Sequence, residues 1–184
     1  DYSRPVLLCV GGSHGAAKIN EAFTGSLSDV LSSCNTQIVY ITGRRYYDEI
    51  QKQLRPLMQY YADRLHLLPF HPQLPGLLAK TDLLVSRAGA TTLAEVTALG
   101  VPSVLIPSPN VTNNHQEHNA RLLAHNGAAL LIREPELSAE GLAACLVELL
   151  SNGDRLQQMA RAGRALGVPD AAARMAAVIS QVVR

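Results

Sequence analysis

The sequence predicts an α/β fold, a doubly wound parallel sheet of about six strands followed by extra helices at its C-terminal end. Two observations carry this. Short runs of Val, Ile and Leu alternate with longer amphipathic stretches, and most of the short runs are nearly continuously apolar, as parallel strands covered on both faces are. After the last such run the pattern turns wholly helical.

The 184 residues, 47% of them hydrophobic, are enough to bury a substantial core, and the whole of 1–184 is expected to form a single domain. A net charge of +1 excludes both a disordered segment and a strongly basic nucleic-acid binder. Cys9, Cys34 and Cys145 have no metal-like spacing and read as reduced structural thiols. No apolar run reaches the roughly 18 residues a membrane span needs, so no direct membrane insertion is expected. The chain opens on Asp1 and enters a strand-like run within a few residues, the pattern expected of a piece of something longer.

Taken in order, strands are expected at 6–10, 37–42, 65–69, 83–86, 103–107 and 128–132. Helices are expected around 17–31, 46–61, 74–79, 92–99 and 114–125, which makes a repeated β-α unit with right-handed crossovers. Ser138 reads as the cap of a helix over 138–150, and Asp154-Arg155-Leu156-Gln157 as a capping box opening another to about Leu166. In that helix Leu156, Met159, Ala160, Gly163 and Leu166 share one face, with Arg155, Arg161 and Arg164 largely off it as a solvated basic face. Gly167-Val168-Pro169-Asp170 breaks the pattern before a last helix to about Val183.

In such a sheet ligands bind at the carboxyl ends of the strands, and three loops there stand out. The first is Val10-Gly11-Gly12-Ser13-His14-Gly15-Ala16. It lacks the Lys-Ser/Thr of a P-loop, and Val10 stands where a dinucleotide fingerprint needs its first glycine. A loop with free backbone N–H groups, a hydroxyl at Ser13 and a helix start behind it suits a phosphate or diphosphate. A tight turn whose glycines serve only packing is the competing reading. An NADP site using Arg44 and Arg45 at the end of the second strand also stays open.

The second loop, Ser86-Arg87-Ala88-Gly89-Ala90-Thr91-Thr92-Leu93-Ala94-Glu95, offers another helix start, with Gly89 permitting close approach by a ligand. From spacing alone Thr92 and Glu95 form a capping box, the alternative being that Glu95 accepts two neighbouring sugar hydroxyls. The third, residues 107–120, concentrates amides and imidazoles, groups that read hydroxyls well. His115 and His118 lack the carboxylate or cysteine support of a zinc site, and His115 is open to general-base duty.

Together, Gly11-Gly12-Ser13-His14-Gly15-Ala16, the stretch Ser86 to Glu95, His115-Gln116-Glu117-His118-Asn119-Ala120 and the closing Val168-Pro169-Asp170-Ala171-Ala172-Ala173-Arg174 resemble the C-terminal half of the MurG family, bacterial glycosyltransferases of peptidoglycan synthesis. The resemblance covers nearly the whole chain in order. It implies the Rossmann-like C-terminal half of a two-domain GT-B enzyme that holds UDP-N-acetylglucosamine and transfers the sugar, with inversion, to lipid I at the cytoplasmic membrane face. By resemblance Ser13 contacts the diphosphate with its loop neighbours Gly12 and Gly15, and the backbone of His71 reads uracil. Gly89 and the run Ala90, Thr91, Thr92, Leu93, Ala94 and Glu95 cradle phosphate and ribose, Glu95 taking the ribose hydroxyls. Gln116 binds hydroxyls of N-acetylglucosamine, assisted by His115 and Asn119.

The resemblance implies no cofactor and no metal in this half, and no Asp-x-Asp motif is present. It places the catalytic base, the lipid I site, the membrane-associating surface and a phosphate-binding arginine outside these residues, so the isolated chain is expected to be inactive. Related alternatives are a glycolipid galactosyltransferase and the catalytic subunit of dolichol-linked chitobiose synthase.

Overall fold

The structure, a computed structural model, describes residues 4–12 and 15–183. Strands β1 (Val6–Val10), β2 (Gln37–Ile41), β3 (Leu65–Leu68), β4 (Leu83–Ser86), β5 (Ser103–Leu105) and β6 (Ala129–Leu131) form one six-stranded sheet in the order β3-β2-β1-β4-β5-β6. Every adjacent pair is parallel. The intervening helices are α1 (Ala17–Ser33), α2 (Tyr47–Tyr60), α3 (Leu74–Leu78), α4 (Ala90–Leu99) and α5 (His115–His125); α6 (Ala139–Leu150), α7 (Gly153–Leu166) and α8 (Ala171–Val182) follow the sheet.

The two faces of the sheet explain why its strands read as unbroken apolar runs. Leu7 and Cys9 of β1 point into a core with Phe23 and Leu27 of α1, Ile50 of α2 and Leu146 of α6. Leu8 and Val10 point the opposite way, against Leu78 of α3 and Val96 of α4. A third cluster joins Leu93 of α4, Leu105, and Ala120 and Leu123 of α5, flanked by Ala162 and Leu166 of α7. Alternate residues thus enter different cores, and each fully buried Leu contributes about 1.5–3 kcal/mol of transfer free energy. Cys9 is wholly buried, which pushes its thiol well above the ordinary range and keeps it protonated.

Two expected caps are corrected. Helix α4 starts at Ala90 with Gly89 as N-cap and no side-chain cap, so Thr92 lies inside the helix and Thr92–Glu95 is not a capping box. The free hydroxyl-to-amide geometry of a cap exists only one residue outside the helix, and the chain turns helical earlier than the Thr92 spacing implies. In α7 the cap is Asn152, whose side chain accepts from Arg155 N, rather than Asp154. Ser138 caps α6 as expected, accepting from Gly141 N at 3.0 Å. Helix α8 has no buried residue, and Met175, Val178 and Ile179 are exposed. Among the described residues no helix is long and apolar enough to cross a membrane.

Candidate functional site

Strand order puts the first two glycine loops side by side. The chain leaves β1 toward β2 on one side and leaves β4 toward β5 on the other, so the order of strand addition reverses between β1 and β4. Val10 pairs with Ser86 across that boundary, the kind of switch point outside whose carboxyl ends ligands bind in open α/β sheets.

The first loop is held from below. Gly11 N donates to Ile41 O at 2.9 Å, and Asn20 of α1 donates through Nδ2 to Thr42 O at 2.9 Å. Tyr40 OH donates to Asn20 Oδ1 at 3.1 Å, and Thr24 Oγ1 lies 3.2 Å from the same hydroxyl. Asn20 and Thr24 are buried polar groups on the core side of α1, Thr24 satisfied through Tyr40 and Asn20 through Tyr40 and Thr42 O, and burial pushes the Tyr40 phenol well above its usual range. Gly15 has φ +82°, and a Cβ there would sit 2.4 Å from Tyr46 Cδ2 and 2.7 Å from Thr42 O. That glycine serves folding. Helix α1 begins after Ala16 without a side-chain cap. Ser13 and His14 lie outside the described residues.

The second loop differs. Gly89 has φ −70°, open to any residue, and a Cβ there would meet nothing within 4 Å. Neither strain nor packing calls for glycine there, and the space above it is open. The amides of Ala90, Thr91 and Thr92 and the hydroxyls of Thr91 and Thr92 have no partner among the described residues. Leu93 sends its side chain into the core and its N–H to Gly89 O, leaving little to offer a ligand. Glu95 is half-buried and has no hydrogen bond or ion pair among the described residues. With the capping role gone, its carboxylate is free to accept.

The third loop reaches α5 through Asn113 and Asn114, both in the left-handed region at φ 54° and 49°. Asn tolerates this conformation better than most residues, and the pair turns the chain sharply into His115. Gln116 Oε1 accepts from Ser108 N at 2.9 Å. A backbone N–H can only donate, so the amide's orientation is forced and its Nε2 remains as a donor. Asn119 Nδ2 donates to Ala88 O at 3.2 Å, joining α5 to the second loop, while His115 Nδ1 lies 2.9 Å from Thr112 O. Hydrogen bonds from Asn114, Arg121 and Arg133 hold the Glu117 carboxyl down to about 2.

At the ends of β2 and β3, Arg44 stacks over Phe70 at 4.8 Å, and His71 Nδ1 accepts from Gln73 N at 3.3 Å. Arg45 lies over Tyr46. Among the described residues no group of three or more His, Cys, Asp or Glu gathers as a metal site. Sequence reasoning passed over Asn20 and Thr24, whose signal is a polar pair at i, i+4 on an otherwise apolar helix face. The pairing of Arg87, in the second loop, with Glu134 was not visible either, because the two meet at 2.5 Å across 47 positions of sequence and carry no local pattern.

A six-stranded parallel sheet in this order, with glycine loops flanking its reversal point, defines a Rossmann-like α/β domain. The chain belongs to the family described as the glycosyltransferase family 28 C-terminal domain, whose model matches residues 6–175. It is 45% identical over 183 residues to the UDP-N-acetylglucosamine--N-acetylmuramyl-(pentapeptide) pyrophosphoryl-undecaprenol N-acetylglucosamine transferase of Oenococcus oeni, covering 100% of this chain and 49% of the relative. The Bacillus subtilis protein of the same name is 45% identical over 179 residues, covering 97% and 48%. The crystal structure of Acinetobacter baumannii MurG superposes with a TM-score of 0.84 at 29% identity, over 97% of this chain and 50% of that one. The fold is therefore that of the C-terminal half of a GT-B glycosyltransferase, and the chain spans about half the length of the curated relatives it matches.

Proposed function

We propose that residues 1–184 are a single donor-binding domain, the half of an inverting N-acetylglucosaminyltransferase that holds UDP-N-acetylglucosamine while lipid I is converted to lipid II. The observation that carries the reading is the pair of helix starts, α1 and α4, that lack side-chain caps and follow adjacent strand ends. Supporting it are the N-acetylglucosamine transferase activity for which the relatives are named and the 45% identity over the whole chain.

The chemistry needs such an arrangement. As the acceptor hydroxyl bonds to the anomeric carbon and the bond to UDP breaks, negative charge grows on the departing diphosphate. Free amides at helix starts stabilise it with fixed dipoles that need no reorganisation. The amides of Ala90, Thr91 and Thr92 with the backbone of Gly12 take the phosphates, joined by Ser13, while Gly15, whose N–H donates to Gly12 O at 3.1 Å, shapes the loop. Glu95 accepts from the ribose hydroxyls, Gln116 donates through Nε2 to a sugar hydroxyl with Asn119 and His115 nearby, and the backbone of His71 reads the uracil edge. Transfer itself is assigned to the full-length protein, peripheral at the cytoplasmic membrane face, with the acceptor site and base in its other half.

Calorimetric titration of the chain with UDP, UDP-N-acetylglucosamine, UDP-galactose and NADPH tests the reading. Binding of both UDP and UDP-N-acetylglucosamine, with weaker UDP-galactose and no NADPH heat, is expected. Preference for UDP-galactose would transfer the assignment to another sugar, and NADPH binding through Arg44 and Arg45 would end it.

A further inference from the structure

We infer that Arg87 and Glu134 are a positioning pair that ties the second glycine loop to the helix start carrying Gln116. The inference rests on the donor-site reading for its functional consequence, although the contacts stand apart from it. Arg87 Nη2 meets Glu134 Oε2 at 2.5 Å, with the two side chains only 21% and 18% exposed. Its Nη1 donates to Ile106 O and Pro107 O, each at 3.1 Å. Both ends of the guanidinium fork are thus engaged by protein atoms. Arg87 sits two residues before the N-cap of α4, where an arginine would otherwise read as a phosphate ligand, yet its terminal nitrogens hold the exit of β5 instead.

From there a closed circuit runs through the site. Pro107 leads to Ser108, whose N–H fixes Gln116 Oε1 at 2.9 Å. One turn along α5, Asn119 returns to Ala88 O at 3.2 Å, next to Arg87. Glu134 anchors the circuit from outside, because its buried Oε2 has no hydrogen-bond partner among the described residues and the ion pair to Arg87 is what compensates it. Its neighbour Arg133 holds Glu117 Oε1 at 3.0 Å, so consecutive residues after β6 grip the second loop and the start of α5.

A pair this buried adds little net stability, since desolvation offsets most of the attraction, but removing one member leaves an uncompensated charge. Its contribution is geometric: it sets where Ser108 N lies, and through it where Gln116 points. Glu134 is therefore a positioning residue that acts on the sugar end of the site without touching the ligand.

Two measurements on Glu134→Ala test this, with Glu134→Gln carried in parallel because it preserves volume and an acceptor oxygen. In the ligand-free chain, hydrogen exchange is expected to quicken at the bonded amides of the two loops, Leu93 N–H to Gly89 O and Ser108 N–H to Gln116 Oε1. Faster exchange confined to 132–137 would overturn the coupling. In UDP-N-acetylglucosamine titrations Glu134→Ala is expected to lose about five- to tenfold in affinity in the parent chain, but no more than about twofold in a Gln116→Ala background. Losses that simply multiply, or a lowered melting temperature with unchanged affinity, would reduce the pair to a structural contact. Glu134→Gln is expected to fall between parent and alanine, and it carries both measurements should the alanine variant fail to fold. If the parent chain bound no UDP-sugar at all, the donor-site reading would fall, while the exchange result would still decide whether the loops are coupled.

Discussion

Alanine at Gly15 and at Gly89 should have opposite consequences, although both glycines sit in loops that open a helix. At Gly15 the new methyl must adopt φ +82° and lies 2.4 Å from Tyr46 Cδ2 and 2.7 Å from the Thr42 carbonyl. The left-handed conformation costs about 1–2 kcal/mol for an L side chain. Relieving overlap with a ring and a main-chain oxygen adds about 1–3 kcal/mol. The sum, about 2–5 kcal/mol, is a large part of the stability of a domain this size. At Gly89 the backbone is already at φ −70° and the methyl enters empty space. Reduced freedom of the unfolded chain favours the alanine by about 0.4–1 kcal/mol. Losing an N-cap glycine for alanine opposes it by about the same amount, leaving a net change within about 1 kcal/mol. Urea unfolding followed by circular dichroism reads the stabilities, and UDP titration reads the site. Gly15→Ala should lower the midpoint strongly. Gly89→Ala should keep the midpoint and weaken UDP about tenfold or more, because the methyl stands where a phosphate must approach the first amides of α4. If Gly89→Ala bound UDP like the parent, the open space above Gly89 would not be the phosphate site.

The remaining predictions concern single side chains. Glu95→Ala should change stability by less than about 0.5 kcal/mol, since the residue caps nothing, while reducing UDP affinity; a destabilised variant with parent-like affinity would restore a structural role. Gln116→Ala should weaken UDP-N-acetylglucosamine more than UDP in paired titrations, and equal losses would remove Gln116 from the sugar end. Because Glu117 is held down to about 2 from an ordinary 4.5, its folded form binds its proton later than the unfolded chain does. Its stabilisation is therefore complete above about 4.5 and lost as pH falls toward 2, and Glu117→Gln should show a flatter acid limb in urea midpoints measured across that window.

Much of this protein was legible in the one-dimensional pattern because parallel strands must be covered on both faces. Val6–Val10 and Leu83–Ser86 carry that requirement as continuous apolar runs, and the longer amphipathic stretches between runs mark the crossovers. Local chemistry marked Ser138 as a cap, because a cap depends on a few consecutive residues, here Ser138 to Gly141. The same local reasoning misplaced the start of α4, where the Thr92 spacing satisfies a capping rule that the earlier turn at Gly89 overrides.

The sequence by itself determined the class of fold, the position of the glycine loops at strand ends and the family resemblance. Only the tertiary structure decided that Gly15 is needed for packing while Gly89 faces open space, that Glu95 has no structural partner, and that Gln116 presents a donor. It also joined Arg87 to Glu134. The physical reason is range: helix and strand periods are set by neighbours within a turn or a pleat, whereas a close approach or a buried ion pair depends on strand order, which brings β1 beside β4 and leaves Arg87 to reach Glu134 across the exit of β5.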